Sequence, residues 1–193
     1  MMVKVCGITR REDAVAAAEA GASAIGFIFY PKSPRYVTPE RARELGEGLE
    51  VWRVGVFVDE PPESLAQIVD QAALDVAQIY GSCELKARQT RLWQAIRIPA
   101  GKGGFGFGAG GCEAIFLDSS ENGVSFDWNR ARPIAEKQKV VIAGGLSPEN
   151  VADAIRIARP WGVDASSGLE ISPGIKDREK VRRFIEAAQE AAS

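Results

Sequence analysis

The 193-residue chain contains no histidine. That absence removes Ser-His-Asp and Cys-His catalysis, histidine-ligated metal centres, and the side chain that most often serves as a base near neutral pH. Any proton chemistry must come from Cys, Asp, Glu, Lys or Tyr. Cysteine is scarce too. Cys6, Cys83 and Cys112 are an odd number of thiols at wide spacings, which fits neither a disulfide framework nor a zinc site and suits a reducing compartment. No run approaches the ~20 apolar residues of a membrane span. The N-terminus enters a strand-like segment with no signal-peptide core before it, so the chain reads as cytoplasmic. An excess of one charge is also missing. With 24 basic against 26 acidic side chains the net charge is -2, which offers no electrostatic footprint for nucleic acid or an anionic membrane. Any anion the protein binds has to be gripped locally.

What the chain does have is a recurring short apolar run. Eight of them, at 3–8, 24–29, 52–58, 76–80, 92–98, 114–118, 140–145 and 162–167, are rich in Val, Ile and Phe. Several lack strict alternation, as expected of parallel strands buried on both faces. Between them, apolar residues fall at helical spacing: Leu65, Ile68, Val69 and Ala72; Val151, Ala154, Ile155 and Ala158; Val181, Phe184, Ile185 and Ala188. "VTPER" and "LSPEN" offer Thr38 and Ser147 as N-caps, with Pro39 and Pro148 at the first helical position.

Eight strands alternating with helices predict one closed (β/α)8 TIM barrel spanning 1–193, more readily than an open doubly wound sheet. The chain is short for such a barrel, which typically needs ~250 residues. The expected economy lies at 99–113, "PAGKGGFGFGAGGCE", where glycines disfavour the helix due after strand five and an irregular loop is expected instead. Gly101, Gly103 and Gly106 there match G-x-G-x-x-G. A dinucleotide turn needs a helix to begin at that point, and the next strand arrives too soon for one.

In a barrel of this kind the site lies at the C-terminal ends of the strands. Cys6 ends strand one, Asp118 ends strand six, and Arg35 follows strand two. Gly144 and Gly145 follow strand seven, while Asp164, Ser167 and Gly168 belong to strand eight and its loop. The glycines and Ser167 can bring backbone N–H groups and a hydroxyl against an anion, so the loops after strands seven and eight are read as a phosphate site. A short helix near "GLEISPG" is expected to add its positive end. Asp118, partly desolvated at a barrel mouth, would have its pKa pushed upward and could act as a general acid. A thiolate at Cys6 is a competent base, and Lys4, two residues earlier on the same strand face, is the cation expected to help it ionise, shared with Asp164.

Taken together, "KVCGIT", "AIGFIFYPKSPRYV", "VGVFV", "FLDSS…FDW", "AGGLSPENV" and "GVDASSGLE…PGIKD" resemble, in order and over nearly the whole chain, the phosphoribosylanthranilate isomerases of tryptophan biosynthesis. The resemblance implies a cofactor-free, metal-free Amadori rearrangement of a small sugar phosphate by a monomer or homodimer. Cys6 would be the general base and Asp118 the general acid, with Arg35, Tyr80 and Asp164 binding substrate and Gly144, Gly145, Ser167 and Gly168 forming the phosphate loops. Two departures stand out. Tyr80 of "QIYG" occupies the position where the family usually has histidine, and the loop after Asp118 is shortened. Two other readings stay open beside it. One is a second sugar-phosphate isomerase or epimerase on the same barrel, disfavoured where its chemistry relies on metal-binding histidines. The other is a barrel that binds sugar phosphates without catalysis.

Overall fold

The computed structural model describes residues 1–81, 90–99, 111–119 and 124–193. Eight parallel strands form a closed barrel in chain order: β1 (Met2–Val5), β2 (Ala24–Ile28), β3 (Trp52–Val58), β4 (Val76–Tyr80), β5 (Arg91–Ile98), β6 (Ala114–Ser119), β7 (Val140–Ile142) and β8 (Gly162–Ala165). Closure is made by β1, which pairs with β2 through Lys4 and Val5 and with β8 from Met2 to Val5. The helices are α1 (Arg11–Glu19), α2 (Pro39–Gly46), α3 (Pro62–Gln71), α4 (Arg132–Ala135), α5 (Val151–Ala158) and α6 (Arg178–Ala192). Among the described residues, no helix is long and apolar enough to cross a membrane. The glycine-rich stretch after strand five lies at 100–110, outside the described residues, as does 120–123 of the loop after β6.

Strand side chains alternate between two cores, the period-2 rule of a pleated strand. The outward set, including Val3, Val5, Ile25, Phe27, Ile115, Leu117 and Val163, packs beneath apolar helix residues such as Leu65, Val69, Phe184 and Ile185. The inward set near the strand starts, Met2, Ala24, Val54, Val76, Trp93, Ala114, Phe116 and Val141, fills the barrel's lower end with Trp52 and Trp161 against it. Trp93 stacks on Phe116 at 5.3 Å between ring centroids and meets Trp52 edge-on at 5.9 Å. This aromatic plug closes one end, so the inward side chains further along each strand face the other.

Thr38 caps α2 as its sequence predicts, accepting a hydrogen bond from Arg41 N at 3.2 Å. Ser147 does not cap α5. That helix begins at Val151, because the Asn150 side chain accepts from Ser147 N at 2.9 Å and holds 147–150 in a turn. The "GLEISPG" segment is also not a helix. After a single 3-10 turn (Ser167–Leu169), Glu170–Ser172 (β9) and Ile175–Lys176 (β10) form a small antiparallel hairpin, with Gly174 in the left-handed region at its tip (φ 82°).

Candidate active site

Inward parity brings the candidates to one mouth. Continuing the alternation of Met2 and Lys4 puts Cys6 inward; that of Val76 and Gln78 puts Tyr80 inward, and that of Ala114 and Phe116 puts Asp118 there. All three line a cavity of about 480 Å³, together with Arg35, Gln78, Arg97, Gly144, Gly145, Asp164, Ser166 and Ser167.

Cys6 is buried, its N–H tied to Ala165 O at 2.9 Å. Below it Lys4 is fully buried, pairs with Asp164 Oδ1 at 3.0 Å, and lies 5.3 Å from the centroid of the Phe116 ring. Glycine at position 26 makes room for this group. A Cβ there would stand 2.8 Å from Cys6 Sγ and 3.0 Å from Lys4 Cε. Burial pushes the Lys4 ammonium down, but Asp164 and the Cys6 sulfur together outweigh it and leave its pKa raised. Lys4 lowers the Cys6 thiol pKa as expected, but the net shift is upward. Burial pushes it up more than Lys4 pulls it down, and Asp164 adds to the rise, so without a ligand the thiol form is favoured. Lys4 does lower the thiol pKa, yet its charge is already balanced by Asp164. Burial likewise raises the Asp164 carboxyl against the pull of Lys4.

The Asp118 pKa is raised, as expected. Burial raises it despite the hydrogen bond that Tyr80 Oη donates to Oδ2 at 2.6 Å. Tyr80 is held well above its ordinary range, first by burial and then by the Asp118 charge, so it stays a donor. The Arg97 guanidinium lies 5.2 Å from the Tyr80 ring centroid.

Gly144 and Gly145 are consecutive left-handed residues, φ 81° and 66°. A Cβ on Gly144 would stand 2.5 Å from Ser119 N and 2.8 Å from Asp118 Oδ1, so this glycine also makes space for the acid. Gly168 does not line the cavity. Its Cα packs so closely on the loop after β7 that a Cβ would come within 2.1 Å of Leu146 O, and the two loops are thereby locked together. Asn150 Nδ2 donates to Gly145 O at 2.9 Å and braces the same loop.

Arg35 reaches the cavity with its Nε and Nη2 on the two Glu170 oxygens, at 2.8 and 2.6 Å. Lys176 Nζ donates to Glu170 Oε1 at 2.8 Å and to Ser166 O at 3.1 Å. Burial disfavours the Glu170 carboxylate, but its hydrogen bonds to Arg35 and Lys176 outweigh that and lower its pKa.

Sequence reasoning missed Glu170, Lys176, Asn150, Gln78 and Arg97. Strand parity was a usable signal for Gln78 and Arg97, which share the inward rows of Tyr80 and Trp93. No comparable local signal marks the partners of Arg35. Two buried polar atoms lining the cavity, Gln78 Oε1 and Ser166 Oγ, have no hydrogen-bond partner among the described residues. No cluster of acidic and thiol side chains among the described residues has the arrangement to hold a metal ion.

A closed (β/α)8 barrel with a buried thiol and a carboxyl of raised pKa at its mouth defines a TIM-barrel protein equipped for acid–base chemistry. A family model described as N-(5'phosphoribosyl)anthranilate (PRA) isomerase matches residues 3–187. The chain is similar to N-(5'-phosphoribosyl)anthranilate isomerase of Solibacter usitatus, 43% identical over 201 residues, covering 99% of this chain and 98% of the relative. Among solved structures, phosphoribosyl anthranilate isomerase from Thermus thermophilus matches with a TM-score of 0.90 and 36% identity, covering 98% of this chain and 99% of that one. A phosphoribosyl anthranilate isomerase in complex with reduced 1-(o-carboxyphenylamino)-1-deoxyribulose 5-phosphate matches with a TM-score of 0.83 at 36% identity and the same coverage. The chain belongs to the N-(5'-phosphoribosyl)anthranilate isomerase family.

Proposed function

We propose that the protein converts N-(5'-phosphoribosyl)anthranilate to 1-(2-carboxyphenylamino)-1-deoxyribulose 5-phosphate, an Amadori rearrangement in tryptophan biosynthesis. The observation that carries the reading is the pair at the mouth: an aspartic acid whose pKa burial raises, opposite a thiol with a buried lysine beneath it.

Asp118 gives its proton to the furanose ring oxygen as the C1'–O bond breaks, leaving an open-chain protonated Schiff base. The Cys6 thiolate then takes the proton from C2', made acidic by the adjacent iminium, and an enolamine forms. Tautomerisation adds a proton at C1' and removes one from the C2' hydroxyl. The thiol can supply the first and the Asp118 carboxylate can receive the second, so both groups return to their starting states with no net gain or loss of atoms. Acid and base act one after the other, as two groups of opposite protonation need to.

Gly144, Gly145 and Ser167 would cradle the phosphate with backbone N–H groups and a hydroxyl, while Gly168 holds the two loops together. Gln78 Oε1 and Ser166 Oγ, which are buried and have no partner among the described residues, suit the sugar hydroxyls. Arg35 suits the anthranilate carboxylate. Asp164 serves through Lys4, to which it is bonded.

The test is turnover of freshly prepared N-(5'-phosphoribosyl)anthranilate, followed by loss of its fluorescence. Conversion to the 1-deoxyribulose phosphate, identified by mass and by reduction with borohydride, is expected. A protein that binds the reduced product but never consumes the substrate would make this a binding barrel instead.

A further inference from the structure

Arg35 and Glu170 are 135 residues apart in the chain, and their contact bridges the loop after β2 and the hairpin after β8 over the end of β1. A guanidinium has two edges that can take a carboxylate bidentately: the side edge, Nε with Nη2, and the end edge, Nη1 with Nη2. Glu170 occupies the side edge, one oxygen to each nitrogen. Only the end edge is left for a second carboxylate.

The geometry around this pair is rigid. Glu170 is buried, and its Oε1 also accepts from Lys176 Nζ at 2.8 Å and from Gly174 N at 3.2 Å. Its backbone carbonyl accepts from Lys180 Nζ at 3.1 Å. At the other end, Arg35 N donates to Ser33 Oγ at 3.1 Å. The Arg35 stem crosses directly over Gly7, where a Cβ would stand 2.6 Å from Arg35 Cδ. Gly7 follows Cys6, so the direction of the guanidinium and the place of the thiol are fixed together. Two cations on one anion leave the cluster with a net charge of +1, which favours one further anion at the open edge.

Building on the proposed isomerase reading, we propose that Glu170 is a positioning residue: it clamps the side edge of Arg35 so that the end edge is presented to the anthranilate carboxylate. Arg35 touches substrate, and Glu170 acts only through Arg35. The opposite arrangement, with Glu170 as a stand-in that substrate displaces, predicts the reverse sign on mutation.

The experiment compares dissociation constants of the reduced product analogue and of its counterpart lacking the ring carboxylate, by calorimetry on wild type, Glu170→Gln, Glu170→Asp and Arg35→Met. Glu170→Gln is expected to weaken the carboxylate-bearing compound by roughly tenfold to a hundredfold, the range for hydrogen bonds to a charged group. It should leave the carboxylate-free compound within about twofold of wild type, because a merely structural loss would weaken both equally. Glu170→Asp should recover part of the difference, and Arg35→Met should abolish any discrimination between the compounds. Equal weakening of both compounds, unchanged affinity, or tighter binding of the carboxylate compound by Glu170→Gln would each overturn the clamp. The isomerase reading is judged separately by wild-type turnover. A wild type that binds with the expected discrimination yet never converts substrate retains the clamp and loses the isomerase. One that binds neither compound loses both.

Discussion

The Tyr80 hydroxyl donates to Asp118 Oδ2 at 2.6 Å, linking the ends of β4 and β6 across the barrel mouth. A donor on a carboxylate stabilises its ionised form, so this bond works against the acid role while burial works for it, and burial wins. Tyr80 thus limits how far the Asp118 pKa rises. Removing the hydroxyl should move that pKa further up.

In the proposed cycle the active enzyme has Asp118 protonated and Cys6 ionised. Burial pushes both the Asp118 carboxyl and the Cys6 thiol above their ordinary values. The pH profile of kcat/KM should therefore show two limbs, an acid limb set by Asp118 and a second set by Cys6, with a plateau beside them. Tyr80→Phe should shift the acid limb upward and change plateau activity by less than about tenfold, since the acid itself is retained. An unmoved acid limb would show that Asp118 does not set it.

Alkylation reports on the thiol without needing catalysis. Only the thiolate reacts with iodoacetamide, and burial favours the protonated thiol, so reaction in the ligand-free protein should be slow at pH 8 and accelerate through pH 9 and above. Lys4→Met removes the nearby charge that lowers the thiol pKa, and the rate at pH 8 should fall further. A rate that levels off below pH 8 would contradict this electrostatic picture.

Lys4→Met also bears on stability. Lys4 is fully buried against Asp164, so its loss strands a carboxylate and should destabilise the protein by about 3–5 kcal/mol in urea unfolding. The double variant Lys4→Met/Asp164→Leu should recover most of that. Equal destabilisation by single and double variants would mean that packing of the lysine stem, rather than its charge, stabilises the barrel floor.

Gly26 carries no side chain, and its missing Cβ leaves the volume that Cys6 and Lys4 occupy. Gly26→Ala should cost about 1–3 kcal/mol of stability by overpacking and slow alkylation of Cys6 as the sulfur is displaced. A variant with wild-type unfolding and alkylation would show that the floor of the site has slack.

Much of this architecture is legible in the chain because parallel strands and their inward parity are local properties. The eight apolar runs coincide with the eight barrel strands within a few residues, and Cys6, Tyr80 and Asp118 follow from counting by twos. Local signals fail where a non-local partner decides. Ser147 reads as an N-cap until the Asn150 side chain takes its N–H and reaches back to Gly145 O. "GLEISPG" suggests a helix, but Glu170 is drawn inward by Arg35 and Lys176 while Ile171 is left 72% exposed, and the segment becomes a hairpin. The thiol pKa is non-local too. Lys4 is visible two residues from Cys6, whereas the depth of burial that outweighs it comes from every strand around the barrel.

Cys6 and Asp118 carry the proposed cycle. The decisive measurement is kcat for wild type, Cys6→Ala and Asp118→Asn on N-(5'-phosphoribosyl)anthranilate, beside the affinity of each protein for the reduced product analogue. Both variants should bind the analogue within about threefold of wild type and lose roughly 10²–10⁴ in kcat, the usual contribution of a positioned acid or base. A variant that keeps wild-type turnover would remove its residue from the chemistry.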